Sequence, residues 1–231
     1  FDEFRHARPD ATLDDYLFCG GFPATAISPD RDLILRGYFQ GIVERDMRER
    51  VAARSTLPLR HLVQMLYESA GAEMSVRRAA AALGISVDTA GLYIEAAESA
   101  YLAMSCPFFA WSARKRMVRN RKFYPVDTGL RRVSVTATGQ DRGKQLECAT
   151  FLLLRRRLGQ VFYWRGAGEV DFVVAGDRGP VPVQVSWGEP SERSRRAVDE
   201  FHAAHPQAAE PVFVSAESFA AGLPDLRPSG Q

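Results

Sequence analysis

Apolar residues near the start of the chain recur at helical spacing. Leu33, Leu35, Tyr38, Phe39, Ile42 and Val43 predict a helix from about Arg31, which runs into the charged string Glu44-Arg45-Asp46-Met47-Arg48-Glu49-Arg50. Ahead of it lie Leu13-Asp14-Asp15-Tyr16-Leu17-Phe18, a tight corner at Gly20-Gly21-Phe22-Pro23 and a polar loop at Ser28-Pro29-Asp30. Residues 1–56 hold too little apolar surface for a core of their own and are expected to belong with something upstream. A second helical stripe comes next at Leu59, Leu62, Val63, Leu66 and Tyr67. Ser75 then caps an alanine-rich helix that Gly84 ends, and a further helix opens at Asp88-Thr89 with Leu92, Tyr93, Ile94, Ala97 and Tyr101 available for burial. Short helix, glycine turn, longer helix is the pattern of a helix–turn–helix. Leu102 to Trp111 reads as a strand, the basic run after it as a wing or loop, and Phe123-Tyr124-Pro125-Val126 as the returning strand. Residues 57–118 are therefore predicted to form a winged helix–turn–helix domain.

From 119 to 231 the period alternates. Gly143 to Leu158 is an amphipathic helix. Val161–Trp164, Val170–Val174 and Val181–Trp187 are β-rich runs separated by glycines, Ser191 to about Ala204 is a helix, and Val212-Phe213-Val214 is a last strand. The tail from Gly222 is expected to be loose. The fold class expected overall is α/β (α+β): a helical segment, a winged helix–turn–helix, then an α/β domain.

Composition changes little in this picture. A hydrophobic fraction of 46% and a charged fraction of 25% are ordinary for a globular protein, and no apolar run is long enough to span a bilayer. The opening Phe1-Asp2-Glu3-Phe4 resembles an interior cut more than a secretion signal. Cys19, Cys106 and Cys148 are an odd, widely spaced set, which points to the cytoplasm and away from disulfides or zinc. His6, His61, His202 and His205 form no ligand cluster. The net charge of +2 hides a local concentration, six cations without an acid between Arg114 and Lys122, and a second cluster at Arg155, Arg156 and Arg157. Such patches attract phosphate backbones without a strongly basic whole.

Candidate chemistry lies in two places. Glu147 projects from the long helix, Asp171 interrupts an apolar strand, and Gln184 sits inside the next strand with Ser186 two residues on. Glu169 is two residues before Asp171, on the face expected to be the same. A charge inside a strand needs a metal, a cation or hydrogen bonds. If Glu147 and Asp171 converge at one sheet edge they can hold magnesium or manganese, as phosphodiester cleavage requires. That layout resembles the PD-(D/E)xK nuclease-like fold, which implies a helix Glu, a strand Asp and a following Glu-x-Lys. Here the last motif reads Gln184-Val185-Ser186, so the lysine is missing unless Lys144, a turn before Glu147, replaces it. The second place is the helix–turn–helix. Ser86, Asp88 and Thr89 are its base-reading candidates, and Arg114, Lys115, Arg116, Arg119, Arg121 and Lys122 its phosphate contacts. Gly139-Gln140-Asp141-Arg142-Gly143-Lys144-Gln145 is not a phosphate loop: its glycines are too close and no Ser or Thr follows the lysine.

Several strings resemble one family. Gly20-Gly21-Phe22-Pro23, Tyr38-Phe39 with Glu44-Arg45-Asp46, Tyr124-Pro125-Val126-Asp127-Thr128-Gly129-Leu130, Gly143-Lys144-Gln145-Leu146-Glu147 and Tyr163-Trp164-Arg165 with Gly168-Glu169-Val170-Asp171-Phe172 are similar to the C-terminal region of bacterial and archaeal AAA-type ATPases. Those ATPases carry a C-terminal domain of unknown function numbered four-one-four-three. The resemblance implies that residues 1–56 come from the ATPase lid, with Arg45-Asp46 near it as a nucleotide sensor or brace. It implies that 119–231 is a degenerate nuclease-like domain, and that ATP and magnesium belong to a domain absent from this chain. The function expected is a DNA-binding effector part of an ATP-binding protein. A metal-dependent nuclease and a protein-docking or homo-oligomerising platform are the alternatives.

Overall fold

The computed structural model describes residues 1–136, 141–177, 179–224 and 226. Gly139 and Gln140 of the apparent phosphate loop, and the end of the tail, lie outside the described residues. In chain order come α1 (Asp2–Ala7), α2 (Leu13–Cys19), α3 (Pro23–Ile27), α4 (Arg31–Gly41), a π-helical stretch (Ile42–Met47), α5 (Arg48–Val51), α6 (Leu57–Glu68), β1 (Glu73–Met74), α7 (Val76–Leu83), α8 (Val87–Ser99) and β2 (Ala103–Cys106). Then come α9 (Ala113–Val118), β3 (Arg121–Pro125), α10 (Thr128–Ser134), α11 (Arg142–Leu158), β4 (Phe162–Arg165), β5 (Glu169–Gly176), β6 (Gly179–Val185), α12 (Glu192–Ala204), β7 (Val212–Val214) and α13 (Ala216–Ala221). The fold is a mixed α/β one. It divides into one unit of 1–105 and 121–140 and a second of 106–120 and 141–231.

The first unit owes its helices to capping and to one unusual stripe. Ser75 Oγ accepts from Arg78 N at 3.1 Å to start α7, and Gly84 ends that helix at φ +65°. α8 starts earlier than Asp88-Thr89 suggested, because Ser86 caps it. Along α4, Leu35, Phe39, Val43 and Met47 are all buried at a strict four-residue spacing. In an α-helix that stripe drifts by about 40° per step. The π-helical stretch, with its wider i→i+5 turn, brings Val43 and Met47 back onto the core side. These four join Leu59, Leu62, Val63, Leu66, Tyr67, Ile94 and Leu130 in a single core, so the stripe from Leu35 to Met47 completes the helix–turn–helix, while Phe4, Ala11, Cys19 and Ala26 pack as a cluster of their own. The strands of this unit run β1-β3-β2.

Two sequence strings turn out to fit each other. Asp127 caps α10 and takes backbone N–H donors from Leu130 at 2.8 Å, from Gly129, and from Gly21 across the unit at 2.6 Å. Gly20 sits at φ +78°, where a Cβ would run into the Asp127 carboxylate, and a Cβ on Gly129 would meet Cys19 O at 2.5 Å. Residues 121–136, expected in the last domain, therefore belong to the first unit.

The second unit is a four-stranded sheet, β4-β5-β6-β7, with the first three antiparallel and β7 parallel to β6. α12 covers one face and α11 the other: Val170, Val173, Ala197, Val198 and Phe201 form one layer, while Phe151 meets Phe172 at 5.8 Å in the opposite one. The segment between β2 and β3 folds here and is not a wing. Pro107, which has no N–H to donate, ends β2's run. Phe108 then pairs in parallel with Tyr163, with Phe109 N donating to Tyr163 O at 2.6 Å and Tyr163 N to Pro107 O at 3.0 Å. The strand expected over 102–111 is thus two pieces in two units. Phe109 enters the core against Phe201 and Trp164, and the Tyr163 hydroxyl donates to Asn120 O at 2.7 Å where the segment leaves.

Phe109→Ala is therefore expected to cost about 3–5 kcal/mol and to do so in the second unit. Hydrogen exchange should accelerate in β4 while α6 to α8 keep their protection. Equal acceleration in both units would refute this assignment of the segment.

Candidate functional site

Asp171 and Gln184 meet. Between Phe162↔Val173 and Trp164↔Val170, Tyr163 of β4 faces both Asp171 and Phe172 of β5, a bulge of the kind that re-aims side chains beside functional sites. The Asp171 carboxylate accepts from Val185 N at 2.8 Å, and Gln184 Oε1 accepts from Asp171 N at 3.4 Å. Both groups thus serve backbone donors where the strands part. Glu169 pairs with Arg165 across the β4–β5 ladder at 3.7 Å. Glu147 lies one turn before Phe151 on the same face of α11, and Phe151 packs on Phe172, the neighbour of Asp171. Lys144 reaches Asp141, the cap of its own helix, at 3.8 Å. Among the described residues no three His, Cys, Asp or Glu side chains gather as a metal centre. One backbone donor on each already occupies part of the Asp171 and Gln184 acceptor capacity.

A glycine loop positions this corner. Glu200 of α12 accepts from Ala167 N at 2.7 Å and Gly168 N at 2.8 Å, which holds its carboxyl below the usual range. A Cβ on Gly168 would meet Ala197 Cβ at 2.7 Å, so only glycine lets α12 approach the loop this closely. Nothing in the helix–strand pattern announces Glu200.

The basic run disperses. Arg114 and Lys115 project from α9 into solvent. Arg116 is half-buried, over the Phe162 ring at 5.8 Å and donating to Ala110 O at 2.7 Å, and Arg119 lies over Phe108 at 4.3 Å. Arg121 pairs with Glu98 at 3.1 Å in the first unit, and Lys122 is fully buried, so neither is the open phosphate contact expected of it. Trp111, which the sequence reading passes over, is 62% exposed beside α9, with Met117 at 84% and Val118 at 76%. A tryptophan at the edge of a basic run was the available signal.

The helix–turn–helix presents a different surface. The Ser86 hydroxyl accepts from Thr89 N at 3.0 Å and lies 2.8 Å from the Thr89 hydroxyl, so both base-reading candidates are spent on the cap. Asp88 is exposed. α8 carries Asp88, Glu95 and Glu98 and no cation, with Val87 and Leu92 exposed.

Residues 10–141, more than half of the chain, match the family described as Domain of unknown function (DUF8612). The chain belongs to that family. The DUF8612 stretch takes in the first unit from Asp10 onward together with the Pro107–Asn120 segment, and it stops at the cap of α11. An uncharacterized protein of Haemophilus influenzae is 26% identical over 206 residues, 82% of this chain and 52% of the relative. An uncharacterized protein of Methanocaldococcus jannaschii is 29% identical over 178 residues, 71% of this chain and 40% of the relative. The chain thus spans about half the length, or less, of these curated relatives. No solved structure matches. The matching family is numbered differently from the one the sequence strings resemble, and these matches attach neither ATPase nor nuclease activity to this DUF8612 chain. Among the described residues no helix is long and apolar enough to cross a membrane.

Acid should loosen the second unit first. His205, packed on Phe201, Phe109 and Trp164, has its pKa pushed down by burial. A depressed histidine contributes stability that is present above its ordinary value of 6.5 and lost as pH falls below it. Glu200 contributes in the same direction, present above 4.5 and lost as pH falls through its lowered value. The urea midpoint of this unit should decline from about pH 6.5 downward, and His205→Phe should remove the first part of the decline. A midpoint that holds or rises on acidification to about pH 5 would contradict it.

Proposed function

We propose that this chain is the nucleic-acid-engaging, non-cleaving part of a larger AAA-type ATP-binding protein, and that its phosphate contacts come from α9. The observation that carries the reading is the segment from Cys106 to Asn120. It holds four cations and no acid, it is fastened to the second unit's sheet, and it presents Arg114, Lys115 and Trp111 to solvent. The second unit as a whole has 15 basic and 12 acidic residues against 15 and 16 in the first, so it carries the net positive charge of the chain because it has fewer acids. Binding of this kind is independent of sequence, because phosphate contacts carry no base information. The parent ATPase rests on the resemblance of the Gly-Gly-Phe-Pro and Val-Asp-Thr-Gly-Leu strings, with ATP and magnesium acting in a domain outside this chain. The α11 and sheet arrangement is read as a PD-(D/E)xK-like scaffold that has lost its cutter. Cys19, Cys106 and Cys148, all buried and none in a disulfide, support a cytoplasmic location.

A second reading, protein docking or self-association through α8, is favoured by its exposed Val87 and Leu92 flanked by Asp88 and Glu95.

Titrating labelled DNA by fluorescence anisotropy at several salt concentrations separates the two. Arg114→Glu with Lys115→Glu should weaken binding about tenfold or more and lower the log–log salt slope by about 2. Asp88→Asn with Glu95→Gln should leave affinity unchanged or slightly raised. With magnesium or manganese, DNA should stay as intact as with Asp171→Ala. Unchanged affinity after the α9 reversal, or cutting that Asp171→Ala abolishes, would overturn the proposal.

A further inference from the structure

The geometry around Trp111 points to single-stranded nucleic acid as the ligand, an inference that rests on the α9 reading above. Trp111 stands edge to face on Phe109, with centroids 5.4 Å apart and planes at 70°, and Phe109 is itself buried in the core. The indole is therefore held from one side while most of its surface faces solvent. A base face can stack on such a ring only when the base is not already stacked in a duplex, whose grooves offer edges alone.

The cations of the same segment are also available to phosphate. The Arg119 guanidinium lies 4.3 Å over Phe108, and Arg116 is held between the Phe162 ring and Ala110 O. Stacking fixes the plane of a guanidinium and leaves its edge donors available, which suits the forked contacts phosphate accepts. Arg114 and Lys115 extend the same surface from the first turn of α9. An anionic lipid surface shares the liking for cations and exposed apolar side chains. It is disfavoured here because α9 has only six residues, too short for a helix lying in an interface. Aromatic stacking with fixed cations is tolerant of sequence, which matches the absence of base-reading side chains.

The test uses the full chain with three probes: an oligothymidylate about 16 nucleotides long, a duplex of the same length, and phosphatidylserine-containing vesicles. The single strand should bind more tightly than the duplex. Trp111→Ala should weaken the single strand by roughly five- to one-hundred-fold, leave the duplex nearly unchanged, and retain the wild-type circular dichroism. Trp111→Phe should keep most of the affinity, and binding of the single strand should quench a tryptophan signal that Trp111→Phe lacks. Equal affinity for both nucleic acids, with Trp111→Ala silent, would overturn this inference and leave the α9 reading standing. Failure of the wild-type chain to bind either nucleic acid would overturn both. Vesicle binding lost in Trp111→Ala, without single-strand binding, would assign the surface to lipid and overturn both as well.

Discussion

The pairing of Pro107–Phe109 with Tyr163 is the interaction on which the functional reading depends. A stretch that connects two strands of one small sheet leaves that unit, adds itself to the edge of another, and fills its core with Phe109. An unpaired β4 edge would offer open backbone groups to any passing strand. The pairing closes part of that edge and fixes the base of α9. The position of Trp111, the stacked arginines and the exposed Arg114 and Lys115 all depend on it.

A second theme is the use of carboxylates to hold backbone N–H groups. Asp127 binds Gly21 from 106 residues away, Glu200 binds Ala167 and Gly168, and Asp171 binds Val185. In the first two cases glycines permit the approach, since an added Cβ would collide with the carboxylate, the opposing helix or the backbone. Burial pushes the Asp127 carboxyl up while its three N–H donors oppose that shift. Gly20, Gly21, Asp127, Gly129, Gly168 and Asp171, all within the strings that suggested a family, take part in these clasps.

Much of the helical structure was legible, because apolar stripes and the Ser75 and Ser86 caps are local signals. The strands of the second unit were legible through β-branched runs between glycines. Long-range pairing was not. No local pattern shows that Phe108 pairs with Tyr163, so the basic run looked like a wing. The bulge at Asp171 and Phe172 depends on β4, so the strand pattern alone did not announce it. The clasp of Asp127 on Gly21 put 121–136 in the first unit, although no proline or glycine cluster separates that stretch from the third segment. Asp171 and Gln184 were brought together as expected, and each accepts a backbone N–H.

The most direct measurement of the central claim is ultraviolet crosslinking of the intact chain to an oligonucleotide, with mass spectrometry of the linked peptides. Adducts should concentrate on the tryptic fragments spanning Phe108 to Arg119. Adducts confined to α7 and α8, with that segment unmodified, would contradict the account.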